Sequence, residues 1–228
     1  MAFDLRDVPK ERQTYEMCLE SVQEDGLQLI FVRQDIQTEK LCLEAVRQNI
    51  SALQYVQNQT PEICLEAVKN FGAALRYVQE QTLEICLAAV KKTWWALQFV
   101  TKQTPEMCFE AVRQNPLALE YVKEQTPELC MESVRKYGCA LKYVKDQTPE
   151  ICLEAVKQNG MALRYIPKNK QNLAVVLAAL RQNPNSRNYL ADKFRTPDVY
   201  KAAGYDYKPK DLALSQRSTE RERIESRN

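Results

Sequence analysis

A phrase close to Gln-Thr-Pro-Glu-Ile-Cys-Leu-Glu-Ala-Val recurs along this chain at a fixed interval. No other feature constrains the fold as strongly. Anchored on its cysteine, it stands at Cys18, Cys42, Cys64, Cys86, Cys108, Cys130 and Cys152, one step of 24 residues followed by five of 22. A unit this short cannot bury its own apolar face and must stack on its neighbours, which is the sequence mark of a solenoid. The functional question then becomes one about surfaces.

The unit from Thr60 to Gln81 shows the local logic. Thr60 is a helix N-cap, Pro61 suits a first turn that has no use for its missing N–H, and Glu62 complements the helix dipole. Thr14, Thr38, Thr82, Thr104, Thr126 and Thr148 hold the same cap position. Ile63, Cys64, Leu65, Ala67 and Val68 cover a face wide enough for a helix packed between two others. Glycine follows the first helix at Gly26, Gly72, Gly138 and Gly160, where it predicts a left-handed terminator. Ala74, Leu75, Tyr77 and Val78 then predict a second, shorter helix. Neither helix is stable alone, so stacking must supply the stability.

Two further columns run through the units. Phe31, Tyr55, Tyr77, Phe99, Tyr121, Tyr143 and Tyr165 sit beside core Leu and Val, which predicts packing with hydroxyls at the rim. The glutamine before each cap (Gln13, Gln37, Gln59, Gln81, Gln103, Gln125, Gln147) is expected to bond turn backbone between adjacent units. The fold class predicted is therefore all-α, an α-solenoid of seven 22-residue helical-hairpin repeats plus a degenerate C-terminal capping repeat. Residues 1–13 form an entry segment and residues 14–171 the seven hairpins. Residues 172–204 hold the degenerate repeat, with Val176 in the cysteine slot, and the helix start Thr196-Pro197-Asp198. Residues 205–228 read as a charged tail, solvated or disordered.

Seven cysteines at one apolar position predict small buried residues rather than a disulfide framework. Stacked helices lie roughly 8–10 Å apart, whereas a disulfide needs Cα atoms within about 7 Å. A reducing cytoplasm is the expected setting. No signal-like apolar run opens the chain, and no run is long enough to span a membrane. The 32 basic and 30 acidic residues give a net charge of +2. The two signs balance up to Ala191, so no overall field draws the repeats onto nucleic acid or an anionic membrane.

Thr148-Pro-Glu-Ile-Cys-Leu-Glu-Ala-Val-Lys-Gln-Asn-Gly-Met-Ala-Leu-Arg-Tyr165, the entry Val8-Pro9 and the link Ile166-Pro167 resemble a short bacterial helical repeat, domain of unknown function 4116. The resemblance extends over roughly residues 8–190. It implies a bacterial, phage or mobile-element setting, such as host-directed effectors, and supplies no catalytic residue to carry over.

The chemistry needed for catalysis is thin. The chain has no histidine, so the commonest general base, nucleophile partner and zinc ligand are missing. There is no phosphate-cradling glycine loop. Glu44, Glu66, Glu110, Glu132 and Glu154 form an expected exposed column three residues before Arg47, Lys69, Arg113, Arg135 and Lys157, a spacing that makes ion pairs. No catalytic residue, metal or cofactor is expected.

Varied positions are where a partner would be read. The second helix exposes Gln98, Glu120, Lys142 and Arg164 at one site, and Lys102 at another. The turn between helices varies most, and Trp94-Trp95 replaces small residues there, next to Lys91 and Lys92. The two indoles either fold over the groove between repeats or stand as interface anchors. These residues predict a non-enzymatic scaffold that binds, and in some settings inhibits, a protein partner, itself a monomer or weak oligomer. The alternative is a nucleic-acid-binding helical repeat, which the neutral array disfavours.

Overall fold

The computed structural model describes residues 4–205; the first three residues of the entry segment and nearly all of the predicted tail lie outside them. All described secondary structure is helical. The chain divides into two compact units, Met1–Lys123 and Glu124–Asn228.

The first unit holds α1 (Tyr15–Glu24), α2 (Glu39–Gln48), α3 (Pro61–Asn70), α4 (Leu83–Lys92) and α5 (Pro105–Gln114). Each begins at its predicted threonine, whose Oγ1 accepts from the N–H three residues on at 3.3–3.4 Å. Such a bond fills one of the donors that a helix start leaves open. Each helix is followed by a six-residue 3-10 segment: Gly26–Phe31, Ile50–Tyr55, Gly72–Tyr77, Trp94–Phe99 and Pro116–Tyr121. The predicted second helix is thus a tighter 3-10 helix. Its fourth residue (Leu29, Leu53, Leu75, Leu97, Leu119) is fully buried. The 24-residue first step contains an additional 3-10 turn, Gln34–Ile36, which takes up the two extra residues.

The second unit repeats the plan with α6 (Pro127–Lys136), α7 (Pro149–Gln158) and α8 (Leu173–Gln182), then closes with α9 (Pro197–Ala202). Thr126 and Thr148 cap as before, and Asn172 Oδ1 caps α8 at 2.9 Å. Lys168–Lys170 forms the same kind of additional turn as Gln34–Ile36. Arg187 stands where earlier units bury leucine, and Arg181 Nη2 donates to Ala202 O at 2.9 Å, tying α9 to α8.

The glycines do not act as left-handed terminators. Among the described residues only Gly204 has a positive φ, and the residue closing each first helix is extended, as at Phe71 with φ −146°. What requires glycine is close approach. A Cβ on Gly72 would lie 2.5 Å from Ala89 O of the next helix, and Gly26 faces Ala45 O in the same way. Gly138 and Gly160 face Ala155 O and Ala179 O in the second unit. Where Ile50 and Trp94 take the position instead, α2–α3 and α4–α5 make less extensive contact than α1–α2 and α3–α4.

The glutamine column clasps consecutive repeats. Gln59 Nε2 donates to Leu53 O of its own repeat and to Tyr77 O of the next, both at 2.9 Å. Its Oε1 accepts from Gln79 N–H at 2.9 Å and weakly from the Cys64 thiol at 3.7 Å. Gln81 and Gln103 repeat the pattern, the latter reaching Leu97 O, Tyr121 O and Lys123 N–H at 3.1, 2.8 and 2.9 Å. In the second unit Gln125 holds Tyr143 O and Lys145 N–H, and Gln171 holds Tyr189 O and Ala191 N–H. Gln147 donates to Leu141 O and Tyr165 O, but its buried Oε1 has no partner. Pro167 occupies the position from which the other repeats supply the N–H.

The seven repeat cysteines are free and buried, while Cys139 is half-buried. Burial pushes Cys42, Cys130 and Cys152 up from 9.0 to about 11. Cys18, Cys64, Cys86 and Cys108 move in the same direction for the same reason.

Three expectations can be measured. Gln103→Ala removes the side-chain partner of Tyr121 O and of Lys123 N–H, while Leu97 O keeps the Val100 N–H; an unsatisfied buried group costs about 1–3 kcal/mol. The variant should lose about 2–3 kcal/mol in denaturant titration, while exposed Gln98→Ala should stay within about 0.5 kcal/mol. The thiols make stability pH-dependent: a proton held more tightly in the folded chain stabilises it fully below the unfolded pKa. That contribution fades as pH rises toward the folded value. Tm should hold to about pH 8.5 and then fall toward about 11. A C42V/C130V/C152V variant, which copies Val176, should flatten the fall. In native protein a thiol reagent should label Cys139 alone.

Candidate interaction surface

The turn surface is built by two neighbouring positions. The residue closing each first helix also starts the 3-10 segment, and most repeats place a polar side chain there. Asp25, Asn49 and Asn115 accept from the N–H two residues on at 2.9–3.0 Å in the first unit, as Asn159 and Asn183 do in the second. Phe71, Thr93 and Tyr137 make no such cap. Phe71 and Tyr137 instead leave their rings 47% and 42% exposed. An aromatic side chain that forgoes a cap and still faces water is explained by neither the turn nor the core.

In the first unit Phe71 belongs to an aromatic cluster. Its ring lies 6.1 Å from Trp95, edge-on, and Trp95 packs in the same manner on Phe99 at 6.1 Å. Trp94 stacks on Tyr121 of the following repeat, with centroids 6.0 Å apart and planes 28° apart. Both indoles are half-buried, so they cover the groove between repeats while keeping part of their surface open. Arg76 lies over the Tyr77 and Phe99 rings at 5.3 and 5.6 Å. These contacts combine π-stacking and cation–π attraction on a partly solvated surface.

Lys91 and Lys92 end α4, directly before Thr93 and the indoles, and both are exposed. Gln98 is exposed and donates through Nε2 to Trp95 O at 3.0 Å. Lys102 and Glu120 are exposed elsewhere in the first unit. Lys142 and Arg164 belong to the second unit, where each lies over aromatic rings: Lys142 over Tyr143 at 5.0 Å, Arg164 over Tyr165 and Tyr189 at 5.1 and 5.8 Å. The structure thus gathers Lys91, Lys92, Trp94, Trp95 and Gln98 at one turn and leaves the others apart from it.

The glutamate column is half-buried, not exposed as expected. Arg47 reaches Glu44 of its own helix at 3.2 Å and Glu66 of the next at 3.1 Å. Arg135 reaches Glu154 at 3.5 Å, and Lys136 reaches Glu132 at 3.3 Å. Arg47 holds the Glu66 carboxyl below its usual range. No described group of three or more His, Cys, Asp or Glu could hold a metal ion. No described helix is long and apolar enough to cross a membrane.

Sequence reasoning missed Phe71 and Tyr137. The signal was present, since their column is otherwise occupied by Asp, Asn or Thr. It becomes readable only once that column is known to cap a 3-10 helix.

One capped ten-residue helix and one 3-10 segment per repeat, joined by a glutamine clasp, define a helical-hairpin repeat protein of the α-solenoid class. Five overlapping windows, residues 60–104, 82–126, 104–148, 126–170 and 148–195, match one family model described as a domain of unknown function. Together they span more than half of the chain, which belongs to that family, domain of unknown function 4116. No curated protein and no solved structure matches the chain.

Tyr137 gives a direct check on the division between fold and surface. Tyr137→Asn restores the cap that five other repeats carry, and a cap is worth about 0.5–2 kcal/mol. The variant should melt a few degrees higher than the parent. A fall in Tm would mean that the exposed ring supports the fold.

Proposed function

We propose that this chain is a non-enzymatic binding scaffold that holds a protein partner on its turn surface, centred on Trp94, Trp95 and Phe71. The observation that carries this reading is the exposed Phe71 joined to half-buried Trp95, where most other repeats carry a polar cap and none carries an aromatic residue at the Trp95 position. Aromatic side chains flanked by basic ones are enriched among residues that dominate binding energy. The recurring Glu–Arg ladder belongs to the stack, and its partly solvated pairs contribute little. Variation is greatest in the turns. The wider setting belongs to the same proposal: a bacterial, phage or mobile-element protein that engages and inhibits a cytoplasmic target, as a monomer or weak oligomer. That part rests on the family likeness.

The test isolates a partner on the intact chain and compares Kd and Tm across variants. W94G/W95A copies the residues of other turns. It should lose a few degrees in Tm with the ring contacts, and about thirtyfold in affinity, since truncating a true anchor costs about 2 kcal/mol or more. Glu66→Gln and Glu154→Gln should change affinity less than threefold. Normal binding by the tryptophan variant would make the rings part of the fold and move the binding surface elsewhere.

A further inference from the structure

The charge ladder of the first helices breaks in α4 and again, at Ala178, in α8. Two residues after the repeat cysteine comes Glu20, Glu44, Glu66, Glu110, Glu132 or Glu154, but in α4 the position is Ala88. In α4 the consequences fall on two lysines. Lys91 sits where Arg47 and Arg135 sit, and Lys92 where Lys136 sits; those residues are held by ladder glutamates. With Ala88 in place, neither Lys91 nor Lys92 has a carboxylate three or four residues before it. Neither makes an ion pair among the described residues. Arg47 also pairs forward with Glu66 of the next helix, and the equivalent position ahead of Lys69 is again Ala88. Lys69 keeps Glu66 of its own helix, whereas the exposed ammonium groups of Lys91 and Lys92 are left without a ladder carboxylate on theirs, directly before Trp94 and Trp95.

We infer that the partner presents an acidic segment to this surface. Its carboxylates pair with Lys91 and Lys92, and an adjoining apolar side chain lies against Phe71 and Trp95. The inference rests on the docking role proposed above and adds the chemistry of what docks. Unneutralised lysines beside an apolar patch reward opposite charge in the encounter and fix its register. A nucleic acid fits less well. Stacking bases need free ring faces, and here Trp94 is stacked on Tyr121 while Trp95 is packed between Phe71 and Phe99. A phosphate backbone also needs basic residues along its path, whereas Lys91 and Lys92 sit side by side within one repeat.

The probe is a random twelve-residue peptide library selected on the intact chain, with a twenty-nucleotide oligo-dT run in parallel. The selected peptides should be enriched in Asp and Glu next to an apolar residue. Their binding should weaken at least tenfold with K91E/K92E and with K91Q/K92Q, at a Tm within a few degrees of the parent. Peptides with Lys in place of their acidic residues should regain binding to K91E/K92E alone. Peptides that need Trp94 and Trp95 yet show no acidic enrichment, or ignore both lysine variants, overturn this inference and leave the docking role standing. If no peptide depends on the tryptophans, both fall. If oligo-dT binds the same surface, loses binding in K91Q/K92Q and displaces the peptides, the ligand is nucleic acid and the acidic segment is refuted.

Discussion

The clasp made by one glutamine per repeat is the interaction on which the rest depends. Each 3-10 segment ends with a carbonyl, and is followed by an N–H, that find no partner within their own turn, and burying them unpaired would be costly. The glutamine amide supplies two donors and one acceptor in a single side chain, reaching its own repeat and the next one. It also gives the repeat cysteine a reason beyond size, since the thiol donates weakly to the same Oε1. Leucine in the 3-10 segment, cysteine and alanine in the helix, and glutamine between them form one packing unit.

Much of this can be read from the sequence because it recurs. Thr60, Pro61 and Glu62 announce a helix start by chemistry that needs no tertiary context. Gln59 is fixed in every unit while its neighbour Asn58 is not, which points to a structural bond. The second helix is harder. Apolar spacing over six residues does not separate α from 3-10, and the difference is made by the clasp pulling the last carbonyls toward the next repeat. The glycines misled for a related reason. Gly72 after a helix fits the left-handed terminator rule, but what excludes a side chain is a carbonyl of the following helix, and no single repeat contains that information.

The candidate surface was legible in part. Trp94 and Trp95 stand out because no other turn carries an aromatic residue at either position, and Lys91 and Lys92 because they are adjacent. Phe71 was hidden, since an aromatic residue near a helix end reads as core. Its exposure follows from the extended backbone at that position, which turns the side chain away from the apolar face. Ala88 was hidden by its ordinariness. An alanine in a helix attracts no notice until Arg47 shows that its equivalent glutamate serves two repeats at once.

Pro167 has a mechanical consequence for the second unit. It removes the N–H that would close the clasp of Gln147, so that clasp reaches the next repeat through one bond, to Tyr165 O, instead of two. In a linear array, stability is a sum of repeat and interface contributions, and opening begins at the interface that contributes least. The proline therefore sets a seam. The thinned clasp joins the repeat of α6 to the repeat of α7, while α8 keeps its extensive packing on α7. Within the second unit a single proline thus marks where one repeat is held to the next by the fewest clasp bonds.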